Sequence, residues 1–333
     1  MSTKVLLTKA FFDADVAYLK AGLDSSVEIV KPCAFDESSI IEALPQANVL
    51  LGGMLTESVL EAATDVAFFQ IPWTGVDALN FNAIERTGVT VCNSHSNSTV
   101  VAEHGVGMLL AAAKKLCFHD RQMRNGEWNR VKKSGNEVSP FSASLLNRHC
   151  LLVGCGAIGS RVAQMLTGFG CTFSSVTQRG EENICGLRQA FSYSQLHSAL
   201  SEADYIFVSV PLTDSTRYMI DSAAFHAMKD SAILVNVSRG DVLVEDDLYI
   251  ALNEQQIGAA AIDTWYQYPS AENQKPFPSK KNDFHKLNNI VMSPHRAGYV
   301  DVGFPHLDDA IENINRHVAG KPLLNIIGST KGY

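Results

Sequence analysis

The sequence predicts an α/β protein of two domains, each a doubly wound parallel sheet, and three observations lead there. Short apolar runs alternate with amphipathic ones along most of the chain, which is the rhythm of βα units. That rhythm starts afresh at Cys150–Val153, so it describes two sheets. A chain of 333 residues that is 46% hydrophobic can also fill more than one core of ordinary size.

In the N-terminal series the expected strands are Lys4–Leu7, Val27–Val30, Val49–Leu51, Ala67–Ile71 and Val89–Cys92. Between them the spacing predicts helices over Ala14–Ala21, Ser38–Ala43, Glu57–Ala63 and Phe81–Arg86. A long helical pattern then runs from about Thr99 to Arg124, with Ser98 or Thr99 as N-cap and Gly126 as its stop. Residues 129–147, broken by Gly135 and Pro140, read as a loop. The second series has strands at Cys150–Val153, Thr172–Val176, Tyr205–Val210, Ala232–Val237, Ala259–Ile262 and Ile290–Met292. A last helix near Leu307–Val318 fits either unit by pattern alone.

The bulk numbers exclude several classes of function. Charged residues are 19% of the chain and the net charge is −8, which argues against a nucleic-acid or anionic-membrane surface. The pairs Lys114-Lys115, Lys132-Lys133 and Lys280-Lys281 are too short to be more than solvated turns and helix faces. The N-terminal apolar run is too short for a signal sequence, and no stretch nears the ~18 apolar residues of a membrane span. Seven scattered Cys without a CxxC read as small core residues of a reducing, cytoplasmic compartment. Ten His without HExxH or paired-ligand spacing predict no metal site.

The chemistry begins at LLVGCGAIGS (151–160), where GxGxxG follows an apolar strand and opens a helix expected over Ser160–Thr167. In that context Gly154 permits the tight turn, Gly156 lets a pyrophosphate approach the backbone, and Gly159 allows close helix–strand packing. Free N–H groups at the helix start favour a diphosphate. The following strand should end in the residue that reads the adenosine ribose; this is Thr177, 18 residues past Gly159. Thr177 has no charge to repel a 2′-phosphate, and Arg179 could bind one, so NADP is the expected cofactor with NAD as a weaker alternative.

In doubly wound sheets, ligands sit beyond the carboxyl ends of the strands. Arg239, Asp263 and His295 follow three consecutive predicted strands of the second series, at one sheet edge. An arginine suits a substrate carboxylate, and a histidine suits proton transfer near neutral pH.

TGVDALN (74–80), GVTVCNSHSNSTVVAEH (88–104), VGCGAIG (153–159), PLTDSTRYMI (211–220), LVNVSRGDVLVEDDLYIAL (234–252), AAAIDT (259–264) and SPHRAG (293–298) together resemble the D-isomer-specific 2-hydroxyacid dehydrogenases, over nearly the whole chain. TQRG at 177–180 is similar to the NADP-preferring glyoxylate/hydroxypyruvate reductases among them. The resemblance implies two Rossmann/flavodoxin-like domains with an active-site cleft between them. Residues 1–98, completed by 298–333, would be the substrate domain, and 99–297 the dinucleotide-binding domain, through which a homodimer would form. Arg239 would bind the substrate carboxylate, His295 would be the general acid-base, and Asp263 would hold the nicotinamide carboxamide. Gly154, Gly156, Ala157, Ile158, Gly159, Thr177, Arg179, Val210, Pro211, Val237 and Ser238 would line the dinucleotide. Gly53 (in the turn Gly52-Gly53-Met54), Thr74, Gly75 and Asn97 would meet the substrate.

Two positions depart from the family pattern. The family pairs its catalytic His with a Glu five residues after the strand-end Asp, and here Tyr268 stands there. A Tyr hydroxyl could orient His295 but, being neutral, would not hold its pKa up. The leading expectation is a 2-oxoacid reductase in which His295 works with neutral Tyr268, or with a carboxylate such as Glu272 or Asp283. The alternatives are a formate-type dehydrogenase, which needs no proton transfer, or a catalytically weak NAD(P)-binding regulatory protein. Arg296 replaces an aliphatic residue and either faces solvent or an ion pair, or meets a second anionic group on the substrate. Trp73 and the pair Trp265-Tyr266 read as packing residues.

Overall fold

The computed structural model describes residues 2–53, 55–128, 142–181, 186–270, 278–279, 281–301 and 303–328. Met54, Glu272 and most of the loop expected at 129–147 lie outside these residues. The chain divides into two compact units: unit 1 is Met1–Asn97 with Val300–Tyr333, and unit 2 is Ser98–Tyr299.

Unit 1 contains β1 (Thr3–Leu7), β2 (Val27–Val30), β3 (Val49–Leu51), β4 (Phe68–Gln70) and β5 (Val91–Cys92). They pair in parallel in the order β2-β1-β3-β4-β5, the flavodoxin-like arrangement. Helices α1 (Asp13–Gly22), α2 (Glu37–Ala43), α3 (Glu57–Ala62) and α4 (Phe81–Thr87) make the crossovers. Side chains of Asp36, Thr56 and Asn80 accept the first free N–H groups of α2, α3 and α4, which is why those helices start where they do. The central strands carry continuous apolar runs, Val5–Leu7, Val49–Leu51 and Phe68-Phe69, because both faces are covered. Leu6, Leu50 and Phe69 point one way, into a core with Ile40, Val59 and Ile84. Val5, Leu7, Val49 and Phe68 point the other way, against Leu19 and against Leu307 and Ile314 of the C-terminal helix (Pro305–Val318). That helix is therefore part of the unit 1 core. Its wholly buried Asn313 donates to the Gln70 side chain at 2.7 Å and accepts from Leu324 N–H at 2.7 Å.

Unit 2 begins with α5 (Ser98–Ala113) and α6 (Leu116–Arg124). Its strands are β6 (His149–Val153), β7 (Thr172–Thr177), β8 (Leu187–Ser192), β9 (Tyr205–Val208), β10 (Ile233–Asn236), β11 (Ala259–Ile262) and β12 (Ile290–Met292). Helices α7 (Ala157–Leu166), α8 (Leu196–Glu202), α9 (Ser222–Ala227) and α10 (Glu245–Asn253) lie between them. The order β12-β11-β10-β9-β6-β7-β8 is the dinucleotide-binding order with one further strand, and every pairing is parallel.

Two sequence expectations need correction. The long helix from Thr99 to Arg124 is two helices, because Lys115 turns left-handed at φ 53°. The last carbonyls of α5 are capped from a distant segment: Ala143 N–H donates to the Ala113 carbonyl at 2.9 Å, and Ser142 Oγ to that of Lys114 at 3.3 Å. The other miss is β8, which has no counterpart among the expected strands. It is an edge strand with only Phe191 buried, so it lacks the apolar run that marked the others.

Candidate active site

The turn between β6 and α7 has the geometry its glycines require. Gly154 sits at φ +92°, where a Cβ would also lie 2.9 Å from the backbone of Ser209 and Val210. At Gly159 a Cβ would meet the Gly154 carbonyl oxygen at 2.3 Å, so only glycine lets α7 start this close to the strand. At Gly156 the same Cβ would point into open space, and this residue N-caps α7 with no side chain occupying the free N–H groups of Ala157, Ile158 and Gly159. An uncapped helix start beside an open glycine fits a diphosphate. The intervening Cys155 is buried, and burial pushes its thiol up.

Thr177 ends β7, and its hydroxyl accepts the N–H groups of Gly180 and Glu181 at 3.1 Å each. Arg179 is exposed, with its guanidinium 3.6 Å from Glu181. Val210 is buried just past β9, and the Pro211 carbonyl accepts the Thr216 hydroxyl at 2.6 Å. Val237 and Ser238 are also buried. Ser238 donates its N–H and hydroxyl to the Asn236 side-chain oxygen, while Asn236 Nδ2 donates to the Arg239 carbonyl at 2.9 Å. This clip fixes the turn carrying Arg239. The half-buried guanidinium donates to the Ser238 carbonyl at 2.8 Å. The next residue, Gly240, lies so near Trp265 that a Cβ would meet its carbonyl oxygen at 2.5 Å.

Asp263 is the hub of the edge. Wholly buried after β11, it accepts Ser293 Oγ–H at 2.5 Å and the N–H groups of Arg296 at 2.9 Å and Ala297 at 3.1 Å. Its carbonyl accepts His295 N–H at 2.8 Å. Four bonds thus hold residues 293–297, and they sustain His295 at φ 56°, the left-handed region that non-glycine residues adopt uncommonly. The imidazole is exposed, with the Tyr268 ring 5.4 Å away at 57°. The Tyr268 hydroxyl accepts Trp265 N–H at 3.2 Å, and buried Trp265 donates from Nε1 to the Ser293 carbonyl at 2.7 Å. Trp265 is a packing residue, edge-on to Phe284. Asp283 is not a partner of His295: its carboxylate takes Lys286 at 2.6 Å and lies 4.0 Å from His285. Arg296 is exposed, with its guanidinium 5.7 Å from the Tyr299 ring centre.

Two residues of this cluster lie in quoted motifs but carried no assignment. His104 of α5 brings Nε2 to 3.0 Å from Ser293 Oγ and 3.6 Å from Asp263. The signal that could have found His104 is its place in VAEH, on a helix that packs along β10, β11 and β12.

In unit 1, loops leaving the carboxyl ends of β1, β3 and β4 border a recess of about 690 Å³ that Gly53 and Gly75 both line. Gly53 has no room for a Cβ, which would lie 2.5 Å from the Trp73 ring. Thr74 donates its hydroxyl to the Ser94 carbonyl at 2.8 Å. Asn97 is not part of that lining; its side-chain oxygen is buried without a hydrogen-bond partner. The structure therefore joins Asp263, His295 and Tyr268 in one cluster and Gly53 with Gly75 in another.

The family model for the D-isomer specific 2-hydroxyacid dehydrogenase NAD binding domain matches residues 106–297. A glyoxylate reductase of Korarchaeum cryptofilum is 31% identical over 266 residues, covering 78% of this chain and 75% of that protein. A D-3-phosphoglycerate dehydrogenase of Archaeoglobus fulgidus is 27% identical over 92% of this chain but only 56% of its own length, so the chain spans about half of such relatives. Among solved structures, a D-isomer specific 2-hydroxyacid dehydrogenase family protein from Aeromonas salmonicida is 25% identical with a TM-score of 0.78, covering 99% of this chain and 100% of the other. An NADPH-dependent glyoxylate/hydroxypyruvate reductase from Sinorhizobium meliloti has the same fold at 21% identity and a TM-score of 0.77, covering 99% and 98%. With the two parallel sheets, the glycine turn and the matched residues in agreement, the chain belongs to the D-isomer specific 2-hydroxyacid dehydrogenase family.

Proposed function

We propose that this protein is an NAD(P)-dependent oxidoreductase that interconverts a 2-oxoacid and a D-2-hydroxyacid. Unit 2 is the dinucleotide-binding domain and unit 1 the substrate domain. The observation that carries this reading is the Asp263 hub, which holds His295 in a left-handed backbone conformation at the sheet edge that also bears Arg239 and the glycine turn. The dinucleotide supplies the hydride. In the reductive direction His295, as imidazolium, donates its proton to the forming alkoxide. Arg239 takes the substrate carboxylate and offsets the negative charge that develops on the carbonyl oxygen. Tyr268 flanks the imidazole and orients it without contributing charge of its own. Ala157, Ile158, Val210, Pro211, Val237 and Ser238 line the dinucleotide, Asp263 faces its carboxamide, and Gly53, Thr74, Gly75 and Asn97 serve the substrate. The partnerless Asn97 oxygen supports that last assignment.

NADP is the preferred cofactor in this reading, because Thr177 leaves the ribose subsite uncharged and Arg179 supplies a guanidinium beside it. The assembly is a cytoplasmic homodimer through unit 2, where Leu116, Met123 and Trp128 expose apolar surface. The test is turnover of glyoxylate, hydroxypyruvate, pyruvate, longer and dicarboxylic oxoacids, with NADPH and NADH in parallel and formate in the oxidative direction. A reductase loses about 10²–10⁴ in kcat when His295 becomes Gln. Turnover of formate alone, or of nothing despite tight NADP(H) binding, would sink the reading.

A further inference from the structure

The recess of unit 1 contains a cation that forms no ion pair among the described residues. Lys9 follows β1 and lines the recess together with Thr8, Gly53, Trp73 and Gly75. Its ammonium lies 5.1 Å from the Phe11 ring centre and 5.0 Å from that of Trp73. Among the described residues no carboxylate forms an ion pair with it: Glu57, which also lines the recess, is taken by Arg86, and Asp15 accepts the Phe12 N–H at 3.0 Å. Burial lowers the Lys9 pKa, and Asp15 only partly opposes this. Next to Lys9, the Thr8 hydroxyl is buried and without a hydrogen-bond partner, in a residue only 1% exposed.

Each feature costs stability in the unliganded fold. An ammonium removed from water without a partner is unfavourable, and so is a buried hydroxyl with unused bonding capacity. Aromatic rings on two sides compensate the charge in part and hold the side chain in one place. A preorganised cation beside an unsatisfied hydroxyl, in an open recess at the carboxyl edge of a parallel sheet, is the arrangement an anion completes.

We propose that Lys9 makes this recess an anion subsite that selects substrates bearing a second anionic group, carboxylate or phosphate, besides the 2-oxoacid carboxylate. This rests on the reading of unit 1 as the substrate domain and adds the substrate class to it. Lys9 is then a specificity-determining residue, without part in the proton or hydride steps.

Matched substrate pairs test it: 2-oxoglutarate against 2-oxovalerate, and phosphohydroxypyruvate against hydroxypyruvate. The wild-type enzyme should prefer the dianion in at least one pair, and that pair tells a carboxylate from a phosphate. Lys9→Met should raise KM for the preferred dianion about tenfold with little change in kcat, leave its monoanionic counterpart unaffected, and be rescued by Lys9→Arg. Equal KM for both members of each pair in the wild type would overturn the proposal, as would a dianion preference that survives Lys9→Met or moves only with Arg296→Leu. If no oxoacid is reduced, the 2-oxoacid reading fails, and calorimetry with malonate and inorganic phosphate decides the subsite separately. Tighter binding of either probe by the wild type than by Lys9→Met supports it, and equal affinities refute it.

Discussion

At the carboxyl edge of the unit 2 sheet, a wholly buried carboxylate has its charge answered from within: Asp263 takes two backbone N–H groups and one hydroxyl. At the same edge of the unit 1 sheet, Lys9 keeps its charge among aromatic rings and has no ion-pair partner among the described residues. The two arrangements do different physical work. A charge satisfied by its own chain fixes geometry, and its removal is felt as lost order. A charge left unsatisfied is held for something the chain does not contain, and its removal is felt as lost affinity. Substitutions at the first edge should therefore lower stability and kcat, whereas those at the second should act on KM.

The largest effect is expected at Asp263. Asp263→Ala leaves three donors without an acceptor in a buried place, which costs about 3–5 kcal/mol of unfolding free energy. Because the same bonds hold His295, kcat should drop about 10²-fold even in the variant that remains folded. Urea denaturation and single-substrate kinetics measure the two. A variant that keeps wild-type kcat while losing stability would show that the hub does not position His295.

His104 is the next test of the same edge. Its imidazole approaches both Ser293 and Asp263, so His104→Leu and Ser293→Ala should not be additive. A double-mutant cycle on stability should return a coupling of about 1 kcal/mol, and additivity would mean the contact carries no energy.

These predictions concern contacts of different visibility in the sequence. The glycine turn and the strand-end residues were legible because their signals are local: a motif of fixed spacing, and a polar residue directly after an apolar strand. Most strands were legible because burial on both faces makes them continuously apolar. What could not be read is what distant segments do to one another. The break between α5 and α6 depends on caps from Ser142 and Ala143, and β8 is a half-exposed edge. Asp263 was expected at a nicotinamide carboxamide; that its carboxylate also clamps residues 293–297 needs the backbone of that loop folded against it. Lys9 showed no motif at all, and only the two rings brought to it in the fold distinguish it from a surface lysine.

A smaller effect is expected at the ribose subsite. The Arg179–Glu181 pair is exposed and worth only about 0.2–1 kcal/mol to stability. Its consequence lies in affinity: Arg179→Ala should raise KM for NADPH about fivefold and leave NADH unchanged. Glu181→Gln should lower KM for NADPH, since a 2′-phosphate would no longer compete with a carboxylate for the guanidinium. Equal changes for both cofactors would remove Arg179 from phosphate recognition.

The smallest effect is a pH dependence of stability that again separates the units. Burial lowers the pKa of His149 in unit 2 and of His95 and His306 in unit 1. The unit 1 pair has carboxylates that oppose the shift, Asp309 for His95 and Asp15 for His306. His149 instead meets Arg188 and Lys229 as well as Glu202 and Asp204, and its Nε2 is buried without a hydrogen-bond partner. An unfolded histidine takes up its proton near pH ~6.5, whereas these three do so only at lower pH when folded. Between those two values the unfolded state binds more protons, so stability falls as the pH drops below ~6.5 and levels off beneath the folded pKa values. Urea midpoints from pH 7.5 down to about 5 should follow that course. His149→Gln should flatten it more than either His95→Gln or His306→Gln, because at His149 two neighbouring cations add to the burial, against Lys9 alone at His306, and its Nε2 is buried without a hydrogen-bond partner. An acid-side loss that His149→Gln leaves untouched would put its origin in the unit 1 pair instead.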